Sequence, residues 1–261
     1  MPLLQVKRVS FRYGDQWTLR DISIDVAAGD IVGLIGPNGS GKTTLLKIID
    51  GILNPASGEI MIEGMKASAM KRHDLARVIA VVPQDFPMIF PFSVEEIVLM
   101  GRSPHLGRLS FESKSDINIA HEAMKLTNTL HLAQRKFNAL SGGERQRVLI
   151  ARALAQEPRI ILLDEFSAHL DMRHHIALFD LIKTLNKSRN LTAVIATHDI
   201  NTISQYAGKI VMLHEGIIHA IGAPDAVITR ENISTVYETN VLIDKHPKTG
   251  TPRLTLSSNL M

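Results

Sequence analysis

Hydrophobic and polar residues alternate at the start of the chain, and continuous apolar runs follow them. The segments LLQVKRVSF and TLRDISIDV alternate on either side of a Gly14–Asp15 turn, which predicts two strands of an antiparallel sheet. IVGLIG is then a short apolar run that ends in glycine, and KTTLLKIIDGIL after it has apolar residues at helical spacing. This order predicts a buried parallel strand, a glycine-rich loop and a helix.

Helical periodicity dominates the middle of the chain, between two groups of predicted strands. GEIMIEG and VIAVVPQ are predicted strands, and from about Phe86 to Gln156 no segment has a convincing strand pattern. Ser93 stands three residues before Glu96 ahead of IVLM, a capping-box spacing, and SDINIAHEAMKLTNTLHL has helical spacing. Strands return with RIILLD, LTAVIAT and KIVMLHEG, and VLIDK with PRLTLSS predicts a terminal hairpin.

Strands that alternate with helices predict an α/β fold with a mostly parallel sheet, an N-terminal antiparallel β subdomain and an inserted helical subdomain. We expect a single domain, because no repeat or linker interrupts the sequence. Its expected parts are a core with the β subdomain at about 1–85 and 157–239, the helical subdomain at about 86–156, and a hairpin extension at about 240–261.

The composition excludes several classes of protein. With 261 residues, 45% of them hydrophobic, the chain can build a sizeable core and is neither disordered nor fibrous. Its 29 basic and 26 acidic residues leave a net charge of only +3, which does not favour a nucleic-acid partner. The absence of cysteine fits a reducing cytosol, and the first residues lack a secretory signal. No apolar run approaches the roughly 20 residues of a membrane-spanning helix, so we expect any membrane role to go through a partner.

The loop between the first buried strand and its helix has the spacing of a phosphate-binding motif. Gly36 to Thr43 fit G-x-x-x-x-G-K-[ST], where glycines let backbone N–H groups surround a phosphate at a helix N-terminus. Lys42 is expected to reach the β- and γ-phosphates and the Thr43 hydroxyl to bind Mg²⁺; an ordinary glycine turn is the alternative. The residues predicted to bind ATP here are Gly36, Pro37, Asn38, Gly39, Ser40, Gly41, Lys42, Thr43 and Thr44.

The predicted strand RIILLD ends in two acids, Asp164 and Glu165. Open α/β sheets bind ligands at the carboxyl ends of their strands, so we expect both side chains at the nucleotide. Asp164 is predicted to hold Mg²⁺ through water, and Glu165 to polarise the attacking water. A solvated acidic strand end is the alternative, which the phosphate loop in the same chain disfavours. The sequence therefore predicts ATP hydrolysis as well as ATP binding.

A second glycine-rich helix start follows at Ser141. The segment LSGGERQ places Ser141, Gly142 and Gly143 before the predicted helix ERQRVLIARALAQ. One γ-phosphate needs only one such site. The second is therefore predicted to serve the nucleotide of another copy, so that two chains enclose two ATP molecules with twofold symmetry. A capped helix start is the alternative, and the sequence leaves it open.

In this order and spacing, the motifs resemble those of the ATP-binding subunits of ABC transporters. GPNGSGKT is similar to the Walker A motif of that family, LSGGERQ to its signature and IILLDE to its Walker B motif. Gln84 in VVPQD matches the Q-loop, residues 167–171 the D-loop and residues 196–199 the H-loop, while Tyr13 matches the aromatic residue that stacks on adenine. The resemblance runs from about Leu4 to Gly222 and implies a P-loop core of the RecA-like type.

The resemblance also implies roles that the residues alone do not. Gln84 would sense Mg²⁺ and the attacking water, and His198 would contact the γ-phosphate; by themselves, a glutamine after a strand is usually a surface residue and a histidine before a helix usually a cap. The predicted site thus comprises the catalytic residues Glu165, His198 and Gln84, the Mg²⁺ ligands Thr43, Gln84 and Asp164, and the further ATP contacts Tyr13, Ser141 and Gly143.

The chain departs from the family pattern at Phe166, where proline is usual. Proline fixes its own φ and biases the preceding residue toward extended backbone. We therefore expect the D-loop to begin less rigidly here, with hydrolysis retained and Phe166→Pro leaving turnover within a few-fold.

Other polar side chains that attract notice are expected to play no part in a site. His174 and His175 are adjacent on a predicted helix and point about 100° apart, so no metal site is predicted with His169. Arg102 and Arg108 are expected to be solvated.

The segment Ile97–His105 resembles the corresponding stretch of importers for iron–siderophore, haem and cobalamin complexes. This resemblance implies a peripheral subunit on the cytoplasmic face of the inner membrane. It would contact a second copy of itself and two multi-span permease subunits, and indirectly a substrate-binding protein. An exporter subunit would share every nucleotide motif and is one alternative. A non-transport ABC protein is the other, but such proteins normally carry a coiled-coil insertion or two nucleotide-binding halves, and neither occurs in this sequence.

Overall fold

The computed structural model describes residues 2–84, 86–87, 90–107, 110–168 and 170–256. Its strands are β1 (Leu4–Tyr13), β2 (Gln16–Val26), β3 (Ile31–Ile35), β4 (Ser57–Ile62), β5 (Met65–Lys66), β6 (Ile79–Val82), β7 (Ile160–Asp164), β8 (Thr192–Ala196), β9 (Lys209–His214), β10 (Ile217–Gly222), β11 (Val241–Lys245) and β12 (Pro252–Leu256). Its α-helices are α1 (Lys42–Ile49), α2 (Arg72–Val78), α3 (Val94–Leu99), α4 (Lys114–Leu126), α5 (Gly142–Ala155), α6 (Met172–Arg189), α7 (Ile200–Tyr206), α8 (Pro224–Val227) and α9 (Arg230–Tyr237).

These elements form two compact units. The first unit comprises the residues up to Met70 and those from Thr192 onward, and the second comprises Lys71–Leu191. This grouping does not test the expected parts with limits near 86 and 156, which remain a prediction. Among the described residues, no helix has both the length and the apolar character that crossing a membrane requires.

The first unit contains the predicted antiparallel sheet, in the order β2-β1-β4-β5. The register pairs Leu4 with Val26 and Phe11 with Leu19, so that the alternating apolar residues of both strands face the same side. Those four residues are buried, while the polar residues between them are exposed or half-buried. The apolar positions of the alternating sequence pattern are thus the buried positions of this sheet. The prediction of an α/β fold with an antiparallel β subdomain is confirmed.

A second sheet in the first unit is mostly parallel. β3 lies between β8 and β9 and runs parallel to both, and β10 closes the edge antiparallel to β9. All residues of β3 and β8 are buried, as expected for parallel strands that are covered on both faces. Gly33 lets α7 approach β3, because a Cβ there would lie only 2.5 Å from Cγ1 of Ile203. The predicted terminal hairpin, β11 with β12, belongs to the same unit.

The second unit combines the parallel pair β6 and β7 with helices. α3, α4 and α5 each begin at a capping box, formed by Ser93 with Glu96, Ser113 with Asp116, and Ser141 with Glu144. The helix predicted to run to residue 132 instead ends at Leu126. Asn128 after it has a left-handed φ of 54°, which stops the helix.

The expectation that Arg102 is solvated is wrong. Arg102 is 5% exposed, and its guanidinium donates to Asp116 Oδ1 at 3.0 Å, Glu157 Oε2 at 2.8 Å and the Ala155 carbonyl at 2.7 Å. The hydroxyl and amide of Ser113, followed by Arg102, lower the pKa of Asp116 to about 2. This part of the importer-like segment therefore fastens the C-terminal end of α5 to the start of α4. Arg108 lies outside the described residues.

Candidate nucleotide-binding site

The phosphate loop between β3 and α1 adopts a backbone that only glycine accommodates easily. Gly36, Gly39 and Gly41 have φ values of 146°, 80° and 103°. A Cβ on Gly36 would also collide with the Leu213 carbonyl, and one on Gly41 would lie 2.5 Å from the Leu19 side chain. The loop is therefore shaped by conformation and by close packing together.

Lys42 is held inside this loop. Its side chain is almost fully buried, and Nζ donates to the Gly36 carbonyl at 2.8 Å and to the Pro37 carbonyl at 3.1 Å. Ser40 Oγ is also buried and has no hydrogen-bond partner among the described residues. A buried cation beside an unpaired hydroxyl, at a helix start where no side chain caps α1, suits an anion of phosphate size. The donor set therefore fits ATP.

The remaining predicted residues of the loop differ in exposure. Thr44 is buried beneath it and Pro37 is half-buried, whereas Asn38, Gly39 and Thr43 are exposed at its surface. Thr43 is thus accessible at the surface of the loop, as its predicted Mg²⁺-binding role requires.

Tyr13 ends β1 as an exposed aromatic ring, 52% accessible. Phe11 supports it edge to face, with 4.8 Å between the ring centroids. An aromatic ring fixed on one side and open on the other can stack on a planar base.

His198 lies in the turn between β8 and α7, exposed to solvent. The turn is tied down on both sides of it: the Thr197 amide donates to the Leu34 carbonyl at 3.1 Å, and Asp199 caps α7 by accepting from the amide and hydroxyl of Thr202. Because β3 and β8 are parallel neighbours, His198 and the phosphate loop follow the same edge of their sheet.

In the second unit, Gln84 and Glu165 meet as expected for residues that follow parallel neighbours β6 and β7. Gln84 Nε2 donates to Glu165 Oε2 at 3.1 Å. Glu165 has a φ of 44°, an uncommon left-handed conformation for a non-glycine residue, and Asp164 before it is buried. This edge thus pairs a carboxylate with the side-chain amide that orients it.

Phe166 is fully buried, and its ring lies 5.1 Å from that of Phe179 in α6, centroid to centroid. The backbone freedom that the missing proline leaves is therefore only part of its effect. The ring anchors the start of the D-loop through side-chain packing, a contribution that proline would lack. Whether the D-loop begins less rigidly stays a prediction, as does the effect of Phe166→Pro on turnover.

Ser141 caps α5, which was the alternative interpretation of the LSGGERQ segment. The Ser141 amide and hydroxyl both donate to Glu144 Oε2 at 2.8 Å, and Ser141 Oγ accepts from the Glu144 amide at 3.3 Å. These bonds lower the pKa of Glu144. Gly143 packs directly against His174, because a Cβ there would lie 2.8 Å from the imidazole Cδ2. The contact of Ser141 and Gly143 with another copy's nucleotide stays a prediction.

His174 and His175 contact different partners. His174 Nδ1 hydrogen-bonds to Asp171 Oδ2 at 2.7 Å, whereas the His175 ring stacks near Phe179, and His169 lies outside the described residues. In the part of the chain that the structure describes, no three histidine, aspartate or glutamate side chains cluster in a way that could hold a metal ion.

A groove of about 600 Å³ opens beside Gln84 in the second unit. Aromatic and polar side chains share its lining, which comprises Gln84, Phe86, Pro87, Phe137, Gly142, Arg145, Gln146, Leu149, Ala168 and Leu170. The guanidinium of Arg152 in α5 stacks over Phe86 at 4.4 Å. The groove therefore reaches from the glutamine that contacts Glu165 to the start of α5.

Sequence reasoning missed Tyr237 at the end of α9. Its hydroxyl oxygen is buried, makes no hydrogen bond of ordinary geometry within the described residues, and is approached by the Gly36 backbone amide. Burial raises the pKa of Tyr237 to about 12, an effect that the Gly36 amide partly opposes. No local pattern could have linked two residues so far apart in the sequence.

Comparison with known proteins places this geometry in context. The sequence profile of a family described as ABC transporter matches residues 19–168. The chain is 37% identical over 257 residues to the hemin import ATP-binding protein HmuV of Gloeobacter violaceus, covering 96% of this chain and 92% of the relative. It is 38% identical over 237 residues to the cobalamin import ATP-binding protein BtuD of Halobacterium salinarum, covering 91% of this chain but only 59% of that relative.

The fold is also similar to a solved structure described as a metal-chelate type ABC transporter in an inward-facing conformation. The TM-score is 0.88 at 31% sequence identity, and the match covers 99% of each chain.

Proposed function

The chain belongs to the ABC transporter family, and from that premise we propose that it is the subunit that energises an importer through ATP-driven closure of a dimer. As a member of this family the chain binds ATP and hydrolyses it. The proposal adds direction, partners and cargo class to that activity.

The proposed roles divide between the two units. In the first, the phosphate loop from Gly36 to Thr44 binds the phosphates of ATP, Tyr13 stacks on adenine and His198 contacts the γ-phosphate. In the second, Glu165 polarises the attacking water and Gln84 holds that carboxylate in place. Thr43, Gln84 and Asp164 supply the oxygen ligands for Mg²⁺, which neutralises phosphate charge when bound.

One observation carries the proposal: the hydrogen bond from Gln84 to Glu165. Gln84 also lines the groove of about 600 Å³, so a segment bound in that groove contacts the same residue that orients the general base. The mixed aromatic and polar lining suits an amphipathic segment of a membrane permease. Occupation of the groove would thereby be sensed at the carboxylate that drives hydrolysis.

The second copy of the chain enters through Ser141 and Gly143. Both lie at the start of α5, where backbone N–H groups and the helix dipole favour an anion. We place these residues against the γ-phosphate that the partner's loop binds, so that two nucleotides hold two chains together.

The similarity to hemin and cobalamin import proteins favours a metal-chelate cargo, with two permease subunits on the membrane and a substrate-binding protein acting through them. The chain would act at the cytoplasmic face of the membrane. An exporter subunit is the alternative, since the nucleotide site alone does not encode direction.

The test is ATPase activity of the chain assembled with its permease in vesicles. We expect a haem-, cobalamin- or siderophore-loaded binding protein to stimulate hydrolysis when it is added on the membrane face opposite the ATP-binding chain. Gln84→Ala should abolish this stimulation although the variant still binds ATP. Stimulation only by substrate added on the same face as the ATP-binding chain would favour export. Stimulation that survives Gln84→Ala would contradict the proposed coupling.

A further inference from the structure

The C-terminal hairpin of β11 and β12 is bonded to α7, the helix that follows His198. Asn201 Nδ2 donates to the Leu254 carbonyl at 2.9 Å, and the Leu254 amide donates to Asn201 Oδ1 at 2.7 Å. One side-chain amide thus satisfies both backbone groups of Leu254, as a neighbouring strand would.

Ser204 repeats the attachment one turn along α7. Ser204 is 1% exposed, and its hydroxyl donates to the Pro252 carbonyl at 3.0 Å. Asn201 and Ser204 are three residues apart and therefore occupy one face of the helix. β12 is held by β11 along one edge and by this face of α7 along the other.

α7 is also fixed from the opposite direction. Ile203 packs into the space that Gly33 leaves on β3, and Asp199 caps the helix through two bonds to Thr202 at 2.9 and 2.6 Å. His198 immediately precedes this cap. A shift of α7 would consequently move His198, and both β3 and the hairpin oppose such a shift.

We propose that the C-terminal hairpin is a positioning element of the nucleotide site, which holds α7 through Asn201 and Ser204 and thereby fixes the His198 side chain. The inference rests on the proposed contact of His198 with the γ-phosphate. Asn201 is a positioning residue, since it acts through His198 and touches no substrate.

A purely structural role for the hairpin is the competing account. A two-stranded hairpin is marginally stable by itself, so docking on α7 could simply keep it folded. The two accounts differ in what they predict for turnover. If the hairpin only decorates the fold, loosening it changes stability and leaves catalysis alone.

The test compares Asn201→Ala, Ser204→Ala and Asn201→Asp with Thr255→Ala in the full chain. Thr255 is the matched control because it is exposed on the same strand, β12. We expect Asn201→Ala to lower kcat for ATP about tenfold with KM unchanged, since a small displacement of a catalytic group is costly. Asn201→Asp, which keeps the acceptor and loses the donor, should fall between Asn201→Ala and the wild type. Hydrogen exchange should quicken across residues 197–206.

A double-mutant cycle with His198→Ala separates the mechanisms. If the hairpin acts through His198, Asn201→Ala has no further effect on kcat once His198 is replaced. An equal loss in both backgrounds, or turnover in Asn201→Ala matching that of Thr255→Ala, would overturn the inference. Full turnover in His198→Ala would instead contradict the proposed role of His198, while the exchange measurement still reports whether the hairpin holds α7.

Discussion

The starts of α1 and α5 are both glycine-rich, but they differ in capping: no side chain caps α1, whereas a capping box closes the start of α5. α1 follows Gly41 in a left-handed conformation, with no side-chain cap and no acidic residue in its first turn. α5 follows Ser141, whose hydroxyl and amide are engaged by the carboxylate of Glu144 in the first turn. The start of α1 is thus open to an external anion, whereas the start of α5 is already bonded to the carboxylate of Glu144.

This difference separates two tasks that the sequence motifs alone make look alike. At α1 the buried Lys42 adds positive charge to the helix dipole, so the loop can bind phosphate without help. At α5 a phosphate must compete with Glu144, whose pKa is lowered by its bonds to Ser141 and which is therefore ionised at neutral pH. The α5 start should engage a phosphate only when another chain delivers it.

Replacing Lys42 gives the largest expected effect on the α1 side. Lys42→Ala should weaken ATP binding to the isolated chain about 100-fold, because charged hydrogen bonds to the phosphates are lost. Titration with a fluorescent ATP analogue measures this. Lys47→Ala is the control, since Lys47 lies on the same helix but is exposed at its last turn. Equal affinity in Lys42→Ala and Lys47→Ala would contradict the assignment of the loop.

Replacing Ser141 tests the α5 side. If Ser141 contacts the nucleotide of the other chain, as we propose, Ser141→Ala should leave ATP affinity of the isolated chain unchanged and reduce turnover about tenfold or more. It should also cost about 1 kcal/mol of unfolding free energy through the lost cap. Ser93→Ala removes a capping box of the same composition from α3 and is the matched control. If both variants lose stability and neither loses turnover, Ser141 is only a cap.

Neutralising Glu144 tests whether its negative charge opposes a phosphate at the start of α5. Glu144→Gln keeps a capping side chain but removes the negative charge, so ATP-driven association should strengthen about two- to five-fold. Analytical ultracentrifugation with ATP measures the association. Glu96→Gln changes the equivalent acid of α3 and should have no effect. Weaker association in Glu144→Gln would mean that this carboxylate takes part in the closed dimer.

A further prediction concerns the pH dependence of stability, to which the carboxylate of a capping box contributes and the uncapped start of α1 does not. In the folded chain Asp116 has a pKa of about 2, against an ordinary value of 3.8. The ionised carboxylate therefore stabilises the fold at pH values above its pKa in the unfolded chain. That contribution is lost as the pH falls toward about 2. In Asp116→Asn the unfolding free energy should therefore change less steeply with pH across this window, as urea titrations would measure. An unchanged slope would show that Asp116 is not held by Ser113 and Arg102.

The phosphate loop was predictable because its determinants are local. It lies directly between β3 and the start of α1 at Lys42. The apolar run, the glycine spacing and the helical spacing are all visible within this one stretch of sequence. The strand-end rule placed Asp164 and Glu165 at the nucleotide, but the hydrogen bond between Gln84 and Glu165 was not predicted, because it depends on β6 and β7 being neighbours.

Contacts between distant residues could not be predicted in this way. Asn201 and Leu254 are 53 residues apart, and no pattern in either segment requires the other. Arg102 has the same local context whether it faces solvent or a buried Asp116, so only tertiary packing distinguishes the two. The burial of Phe166 against Phe179 could not be predicted for the same reason, since the two rings come from segments that only the tertiary fold brings together.

We propose that the loop of one chain and the α5 start of another share one ATP, and cysteine cross-linking can test this arrangement. The chain has no cysteine, so Asn38→Cys and Ser141→Cys can be introduced on separate copies, both carrying Glu165→Gln to slow hydrolysis. On mixing, oxidation should give a disulfide-linked heterodimer with ATP and little with ADP. Absence of this ATP-dependent product, in a mixture that still binds ATP, would contradict the shared site.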